Sequence, residues 1–214
     1  MNLGGIYQEL GDLDQALEAT HKSLELNADN AYALMNLGII FKQLGSLNNA
    51  LDATIKSLKL KADNADAYMN LGSIFQELGH LDEALDATLK SLDLKADNAD
   101  AYINLGSIFQ ELGYLDQALD ATLKSLELQP DNRDAVYQKG VILYVLNRFG
   151  EALHDFEEVI RLKAMDAEED KKALSYKGRC LLKMGERIEE GYRMMRKNEG
   201  FVRFSYHSDS PGFN

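Results

Sequence analysis

The chain has 214 residues, a single cysteine and a formal net charge of −12. A chain this acidic repels nucleic-acid phosphates, so we expect no nucleic-acid partner. No stretch approaches the roughly 20 apolar residues that span a bilayer, and no secretory signal is visible, so we expect no membrane partner. One cysteine cannot form an internal disulfide, which favours a reducing compartment and a cytoplasmic location.

A Leu-Gly pair recurs every 34 residues along most of the chain. The pairs are Leu3-Gly4, Leu37-Gly38, Leu71-Gly72 and Leu105-Gly106, and Lys139-Gly140 continues the register. Lys177-Gly178 follows after four extra residues, which we place near Met165–Glu168. Residues 65–98 and 99–132 differ at only six of 34 positions, which indicates true repetition. A period of this length predicts a stacked repeat architecture.

Each repeat contains two segments in which apolar residues recur at helical spacing. In residues 65–98, the first segment places on one face Tyr68, Leu71, Ile74, Phe75 and Leu78. Gly79 then takes the C′ position, where a left-handed residue ends a helix. The equivalent positions hold Gly11, Gly45, Gly113, Asn147 and Gly185. The second segment directs inward Leu81, Ala84, Leu85, Thr88, Leu89 and Leu92. The pattern predicts one helical hairpin per repeat.

The sequence of the repeat also predicts a helix N-cap and a close approach of the two helices. Asp63-Asn64 provides a turn and an N-cap for the next unit. Gly72 recurs inside the first helix, where glycine costs about 1 kcal/mol relative to alanine. Ala84 recurs in the second helix, so we expect the two helices to approach closely at Gly72 and Ala84. Because one hairpin cannot bury its own apolar face, neighbouring hairpins must stack.

These residues resemble the tetratricopeptide repeat (TPR) family, whose 34-residue pattern is Trp-x2-Leu-Gly-x2-Tyr, then Ala-x3-Phe, then Pro. Residues 68–75 read Tyr-x2-Leu-Gly-x2-Phe, Ala84 matches the family alanine, and Pro130 stands at the family proline position. The family phenylalanine is replaced by Thr20, Thr54, Thr88 and Thr122, and appears only as Phe156. The resemblance covers residues 1–197 and implies an all-α, right-handed TPR superhelix, which is an α-solenoid.

The repeat register predicts three regions. Residues 1–164 form an array of five repeats, of which the first is truncated. Residues 165–197 form a divergent sixth hairpin that serves as a C-terminal cap. In residues 198–214, apolar and polar side chains alternate over residues 201–207, which is typical of a strand. We hypothesise that this tail begins a missing domain; a flexible tail is the alternative.

No arrangement of residues in the sequence points to catalysis. The histidines lie at unrelated repeat positions without metal-ligand spacing, and phosphate-binding or nucleophile motifs are absent. Cys180 falls on the inward face of a helix, where a buried inert thiol is expected. The carboxylates repeat with the unit, as solvated faces do. We therefore predict a protein that is not an enzyme and that binds no cofactor and no metal.

One polar column repeats without an evident packing reason. Asn2, Asn36, Asn70 and Asn104 precede the Leu of each Leu-Gly pair, and Gln138 continues the column. Asparagine is a poor residue inside a helix, because its side chain competes for backbone groups. Recent duplication, which copies neutral residues too, is one explanation. The other is a peptide-binding ladder, since the column resembles that of the TPR region of O-GlcNAc transferase, and an amide can grip a peptide backbone.

A second column consists of Asp66, Asp100 and Asp134, each four residues before an amide of the first column. The spacing places each carboxylate on the same helical face as its amide. Such a face selects a partner rich in basic or hydroxyl side chains, although each Asp also favours the helix macrodipole at its position. The family's carboxylate clamp needs Lys and Arg on the concave helices. The relevant positions hold instead Asp66, Met69, Ser73, Asp100, Ile103 and Ser107, so the charge contradicts a clamp.

The sequence thus predicts a non-enzymatic protein-protein interaction scaffold that binds an extended, basic or hydroxyl-rich polypeptide in its concave groove. The predicted peptide-binding residues are Asn36, Asn70, Asn104, Gln138, Asp66, Asp100 and Asp134. The alternative is the substrate-recognition fragment of a larger enzyme, such as a TPR-linked glycosyltransferase. A third option is self-association through the repeat ends.

Overall fold

The computed structural model describes residues 12–162, 167–185 and 187–198, and every regular element in these ranges is an α-helix. The helices are α1 (Leu13–Leu26), α2 (Ala31–Gln43), α3 (Leu47–Leu60), α4 (Ala65–Glu77), α5 (Leu81–Leu94), α6 (Ala99–Glu111), α7 (Leu115–Leu128), α8 (Arg133–Val145), α9 (Phe149–Arg161), α10 (Ala167–Met184) and α11 (Ile188–Asn198). The predicted all-α fold of repeated hairpins is confirmed. The truncated start, half of the predicted insertion (residues 165–166) and the strand-like tail lie outside the described residues.

The chain divides into two compact units, Met1–Ile142 and Leu143–Asn214. The boundary lies within α8, at a position that the repeat period does not mark. In the first unit, α2 packs against α3, α4 against α5 and α6 against α7. The first helices of successive hairpins also contact one another, whereas among the described residues the second helices do not. The first helices α2, α4 and α6 therefore line the inner side of this unit.

Asparagine and glycine set the helix ends, as the sequence predicts. The side chains of Asn30, Asn64 and Asn98 accept hydrogen bonds from backbone N–H groups three residues later, at 3.1 to 3.3 Å. These bonds satisfy donors that a helix N-terminus leaves free. At the other end, Gly79 has φ +78°, and the N–H of the next residue bonds the Phe75 carbonyl at 2.9 Å. Asn147 replaces glycine at the same position with φ 60°.

The two helices of a hairpin approach most closely at the recurring glycine. A Cβ atom on Gly106 would lie 2.7 Å from the Thr122 hydroxyl oxygen and 3.2 Å from the Ala118 carbonyl oxygen. The same contacts occur in the preceding hairpin, where a Cβ on Gly72 would overlap the Thr88 hydroxyl. The predicted close approach is confirmed, and threonine rather than the family phenylalanine fits beside the glycine.

The core of the first unit combines small residues with a buried leucine and a buried isoleucine in each of the first helices α2, α4 and α6. The alanines Ala50, Ala84 and Ala118 and the isoleucines Ile40, Ile74 and Ile108 are fully buried. One expectation is wrong: Leu89, predicted to face inward, is 43% exposed. Its place on the inward face is taken by Ala87 and Ser91, which are buried. With Ala84 and Thr88 they follow the i, i+3, i+4, i+7 spacing of one helical face, and Leu89 lies off that face.

In the second unit, α9 packs against α10 and α10 against α11. Phe156 stacks on Tyr176 with ring centroids 5.1 Å apart, and the Arg179 guanidinium lies 5.2 Å from the same ring centroid. Cys180 is fully buried beside Leu181, and burial raises the pKa of its thiol to about 11. The predicted inert thiol is consistent with this environment, since the thiolate is the reactive form. No helix in the described ranges is long and apolar enough to cross a membrane.

We expect Gly72→Ala to lower the free energy of unfolding by about 1 kcal/mol, because crowding against Thr88 and Ala84 outweighs the better helix propensity of alanine. Gly150→Ala is the matched control, since nothing lies within 4 Å of a Cβ at that position in α9. The control should be neutral or stabilising. Urea unfolding followed by circular dichroism measures both, and equal effects of the two substitutions would contradict the close approach.

We expect Cys180 to resist alkylation at pH 8 in the folded protein and to react after unfolding in urea.

The raised pKa of the Cys180 thiol also has a consequence for the pH dependence of stability. An unfolded thiol ionises near about pH 8.5, whereas the native thiol stays neutral until about pH 11. The stability contributed by Cys180 is therefore complete below about pH 8.5 and declines as pH rises towards 11. Urea unfolding at pH 8 and pH 10 tests this, and Cys180→Ala should lose less stability over that interval.

Candidate functional site

We define the inner face as the surface formed by α2, α4 and α6. The predicted site residues lie on these three helices and on α8. Each aspartate of the predicted column lies in the first turn of its helix. Asp66 lies in the first turn of α4, Asp100 in that of α6 and Asp134 in that of α8. All three are exposed, and none makes a hydrogen bond or ion pair within the part of the chain that the structure describes.

The inner face is acidic over two of its helices. Helices α4 and α6 together carry four carboxylates, at Asp66, Glu77, Asp100 and Glu111, and no Lys, Arg or His. Lys42 of α2 approaches Glu77 only to 3.9 Å. The four carboxylates give α4 and α6 a negative potential, which attracts basic groups.

A tyrosine on α2 borders this face. Tyr32 is 53% exposed, and Lys61 donates a hydrogen bond to its hydroxyl at 2.6 Å while its ammonium lies 4.7 Å from the ring centroid. The hydrogen bond raises the pKa of Lys61, so the ammonium stays charged beside the ring. An exposed tyrosine held in this way offers a ligand a rigid apolar surface.

The amide column does not form one uniform row. Asn70 is only 5% exposed, and its amide donates to the Thr54 hydroxyl of the preceding hairpin at 2.9 Å. Gln138 donates to the Ile103 carbonyl at 3.0 Å and accepts from the Thr122 hydroxyl at 3.1 Å. Both amides connect successive hairpins. A structural role therefore explains part of the column, and Asn70 has little surface to offer a ligand.

Two other amides of the column are half-buried. Asn36 lies on α2 in the position equivalent to Asn70. Asn104 donates to the Ser73 hydroxyl at 3.1 Å, across the inner face from α6 to α4. Beside it, Gln76 donates to Ser107 at 2.7 Å and also bonds Glu111. We call Ser73, Gln76, Asn104 and Ser107 the polar cluster.

Sequence reasoning overlooked the role of the serines and threonines around the amides. In the sequence, Ser73 and Ser107 show only that the cations of a carboxylate clamp are absent from their positions. The available signal was their spacing of 34 residues, on the same helices as the amides. The threonine column carried a similar signal, since it replaces the family phenylalanine with a hydroxyl that an amide of the next repeat can bind.

The described residues contain no group of three His, Cys, Asp or Glu side chains arranged to hold a metal ion. What the inner face offers is hydrogen-bonding groups and negative charge on rigid helices. Such a surface is suited to non-covalent recognition of a polar chain.

Comparisons with known proteins agree with this architecture. Family models described as tetratricopeptide repeat match residues 2–59, 65–98 and 99–132, together more than half of the chain. Among curated proteins, none matches the sequence.

Several solved structures are similar to this one. MamA is 28% identical and covers 81% of this chain and 98% of its own, with a TM-score of 0.62. YrrB, described as a TPR protein with an unusual peptide-binding site, is 25% identical and covers 86% and 92%, with a TM-score of 0.63. PilF of Pseudomonas aeruginosa is 21% identical and covers 93% and 90%, with a TM-score of 0.78, and shows the fold alone.

The matched repeats and these neighbours support a protein-interaction scaffold, which is the usual role of this non-catalytic type of fold. The chain belongs to the tetratricopeptide repeat family.

Proposed function

We propose that the protein binds an extended polypeptide rich in basic or hydroxyl side chains along the inner face of its first unit. The observation that carries this proposal is the charge of α4 and α6, which have four carboxylates and no cation. Asp66 and Asp100 are exposed, and each lies in the first turn of its helix. Their carboxylates are therefore accessible to the side chains of a bound chain.

The polar cluster supports an extended ligand rather than a compact one. Its hydrogen bonds run from α4 to α6, which is the direction in which successive hairpins stack. A chain laid across successive first helices would meet carboxylates, amides and hydroxyls in turn. In this proposal Asp66, Asp100 and Asp134 select charge, and the half-buried amides at Asn36 and Asn104 contact the backbone. The Gln138 amide, which bonds Ile103 and Thr122, connects the hairpins. Asn70 acts by fixing the hairpins.

The resemblance of the fold to YrrB adds weight, because that protein is described as having a peptide-binding site. The alternative, a substrate-recognition part of a larger enzyme, would use the same inner face to hold its substrate. Both readings therefore require the same groove.

We expect the double substitution Asp66→Asn and Asp100→Asn to weaken binding of a Lys/Arg-rich peptide about threefold to tenfold at low salt, since each exposed charge contributes modestly. The loss should shrink at higher salt because mobile ions screen exposed charges. Fluorescence anisotropy with a labelled peptide, compared with a Ser/Thr-rich and an acidic peptide, measures the preference.

Asp82→Asn with Asp116→Asn is the matched control. These aspartates occupy the first turns of α5 and α7, so the control removes the same charge from the same helical position on the second helices. It should leave peptide affinity nearly unchanged. Equal losses of affinity in both variants would mean that the net charge of the protein, and not the position of the aspartates, determines binding. A folded wild-type protein that binds none of the peptides would contradict the proposal.

A further inference from the structure

The aspartate column of the first helices is interrupted in α2. The column holds Asp66 in α4 and Asp100 in α6, whereas the equivalent residue of α2 is Tyr32. A second position changes in the same way, from Ser73 in α4 to Ile39 in α2. Helix α2 contains no Asp or Glu, and α4 contains two carboxylates and no cation. The inner face therefore changes from apolar to acidic between two neighbouring first helices.

The apolar residues of α2 share one side of the helix. Tyr32, Met35 and Ile39 have the spacing i, i+3, i+7, which places them on one helical face. Tyr32 is 53% exposed, and Met35 and Ile39 are half-buried. The same face contains Asn36 of the amide column. A ligand side chain that passes over α2 thus meets an aromatic ring and aliphatic groups, whereas over α4 and α6 it meets carboxylates and hydroxyls.

Lys61 sets the charge at this position. Its ammonium lies 4.7 Å from the ring centroid of Tyr32 and donates to the tyrosine hydroxyl at 2.6 Å. The hydrogen bond raises the pKa of Lys61, so the side chain stays protonated at neutral pH. The tyrosine thus already has a cation beside it, and a second cation is repelled at such a distance. The position disfavours basic ligand side chains, whereas the exposed part of the ring packs well against an apolar one.

The stacking of hairpins sets the distance between the tyrosine and the aspartates. Helix α2 contacts α4, and α4 contacts α6. The axes of contacting helices lie about 8–10 Å apart. An extended polypeptide advances about 3.3 Å per residue, so about three residues lead from one first helix to the next. A ligand that places one side chain over α2 therefore places the residues three and six positions away over α4 and α6.

We propose that Tyr32 and Lys61 form a subsite for an apolar side chain of the bound polypeptide. The recognised segment carries two basic residues to one side of this apolar residue, at intervals of about three residues. The apolar side chain packs on Tyr32, the nearer basic residue pairs with Asp66 and the farther one with Asp100. This inference rests on the proposed function and deepens it, because it states which residue types the ligand carries and in which order.

The experiment compares peptides of identical composition by fluorescence anisotropy. In the motif peptide, lysines lie three and six positions from a leucine, and this peptide is made in both chain directions. In the rearranged peptide, the leucine lies between the two lysines. We expect the motif peptide, in one of its directions, to bind about threefold to tenfold more tightly, since only this peptide packs its leucine on Tyr32. Equal binding of all peptides would overturn the inference and leave the proposed function intact. If the wild-type protein binds none of them, the proposed function fails instead.

Two tyrosine variants locate the leucine in the same assay. Tyr32→Ala should weaken binding of the motif peptide about threefold to tenfold and leave that of the rearranged peptide unchanged. Tyr114→Ala is the matched control, because Tyr114 is 51% exposed but precedes α7, which is a second helix. The control should leave both affinities unchanged, and circular dichroism verifies that both variants are folded. Equal losses for the two peptides, or no loss in Tyr32→Ala, would overturn the inference.

The charge of Lys61 is tested with a third peptide, in which lysine replaces the leucine of the motif. Lys61→Gln should bind this peptide about twofold to threefold more tightly than the wild-type protein at low salt, because a repelling cation is removed. Lys56→Gln is the matched control, since it removes the same charge from an exposed position within α3. Equal gains in the two variants would overturn the role of Lys61 in the subsite.

Discussion

The close approach of the two helices in each hairpin is the contact on which the rest of the structure depends. It requires glycine at Gly38, Gly72 and Gly106, because a Cβ atom would crowd the threonine and the backbone carbonyl of the second helix. Glycine inside a helix costs about 1 kcal/mol relative to alanine, so the packing gained at this contact must offset that cost in every repeat. The distance between the helices then decides what can be buried between them, which is alanine, serine and threonine rather than a large aromatic ring.

The close approach creates a requirement that the neighbouring hairpin meets. A threonine hydroxyl at the contact is buried and must find a hydrogen-bond partner. Thr122 finds one in its own helix at the Ala118 carbonyl and another in Gln138 of the next hairpin. At the equivalent position the Thr54 hydroxyl accepts a hydrogen bond from the Asn70 amide of the next hairpin, whereas the Thr122 hydroxyl donates. A polar bond at the junction fixes how one hairpin stacks on the next, which apolar contacts alone specify less sharply. Packing within a hairpin and stacking between hairpins are thus linked through one side chain.

The polar groups exposed on the inner face are those that the stacking of hairpins leaves unused. The side chains that are not needed for stacking remain at the surface of the first helices, where the carboxylates of Asp66 and Asp100 are exposed and the polar cluster bridges α4 and α6. In this proposal, stability and recognition share one column of amides, with Asn70 on the structural side and Asn104 on the ligand side.

The sequence by itself determined the fold to a large extent. The 34-residue period, the glycines at Gly79 and its equivalents and the caps at Asn64 and Asn98 all lead to helical hairpins, because helix ends and helix faces depend on local residues. It also placed Asp66 and Asp100 correctly in first turns at the surface. It could not decide where each amide points, since Thr54–Asn70 and Thr88–Asn104 are identical pairs in the sequence. Only the tertiary structure separates them, because the partner of each amide comes from another hairpin, 16 or 31 residues away.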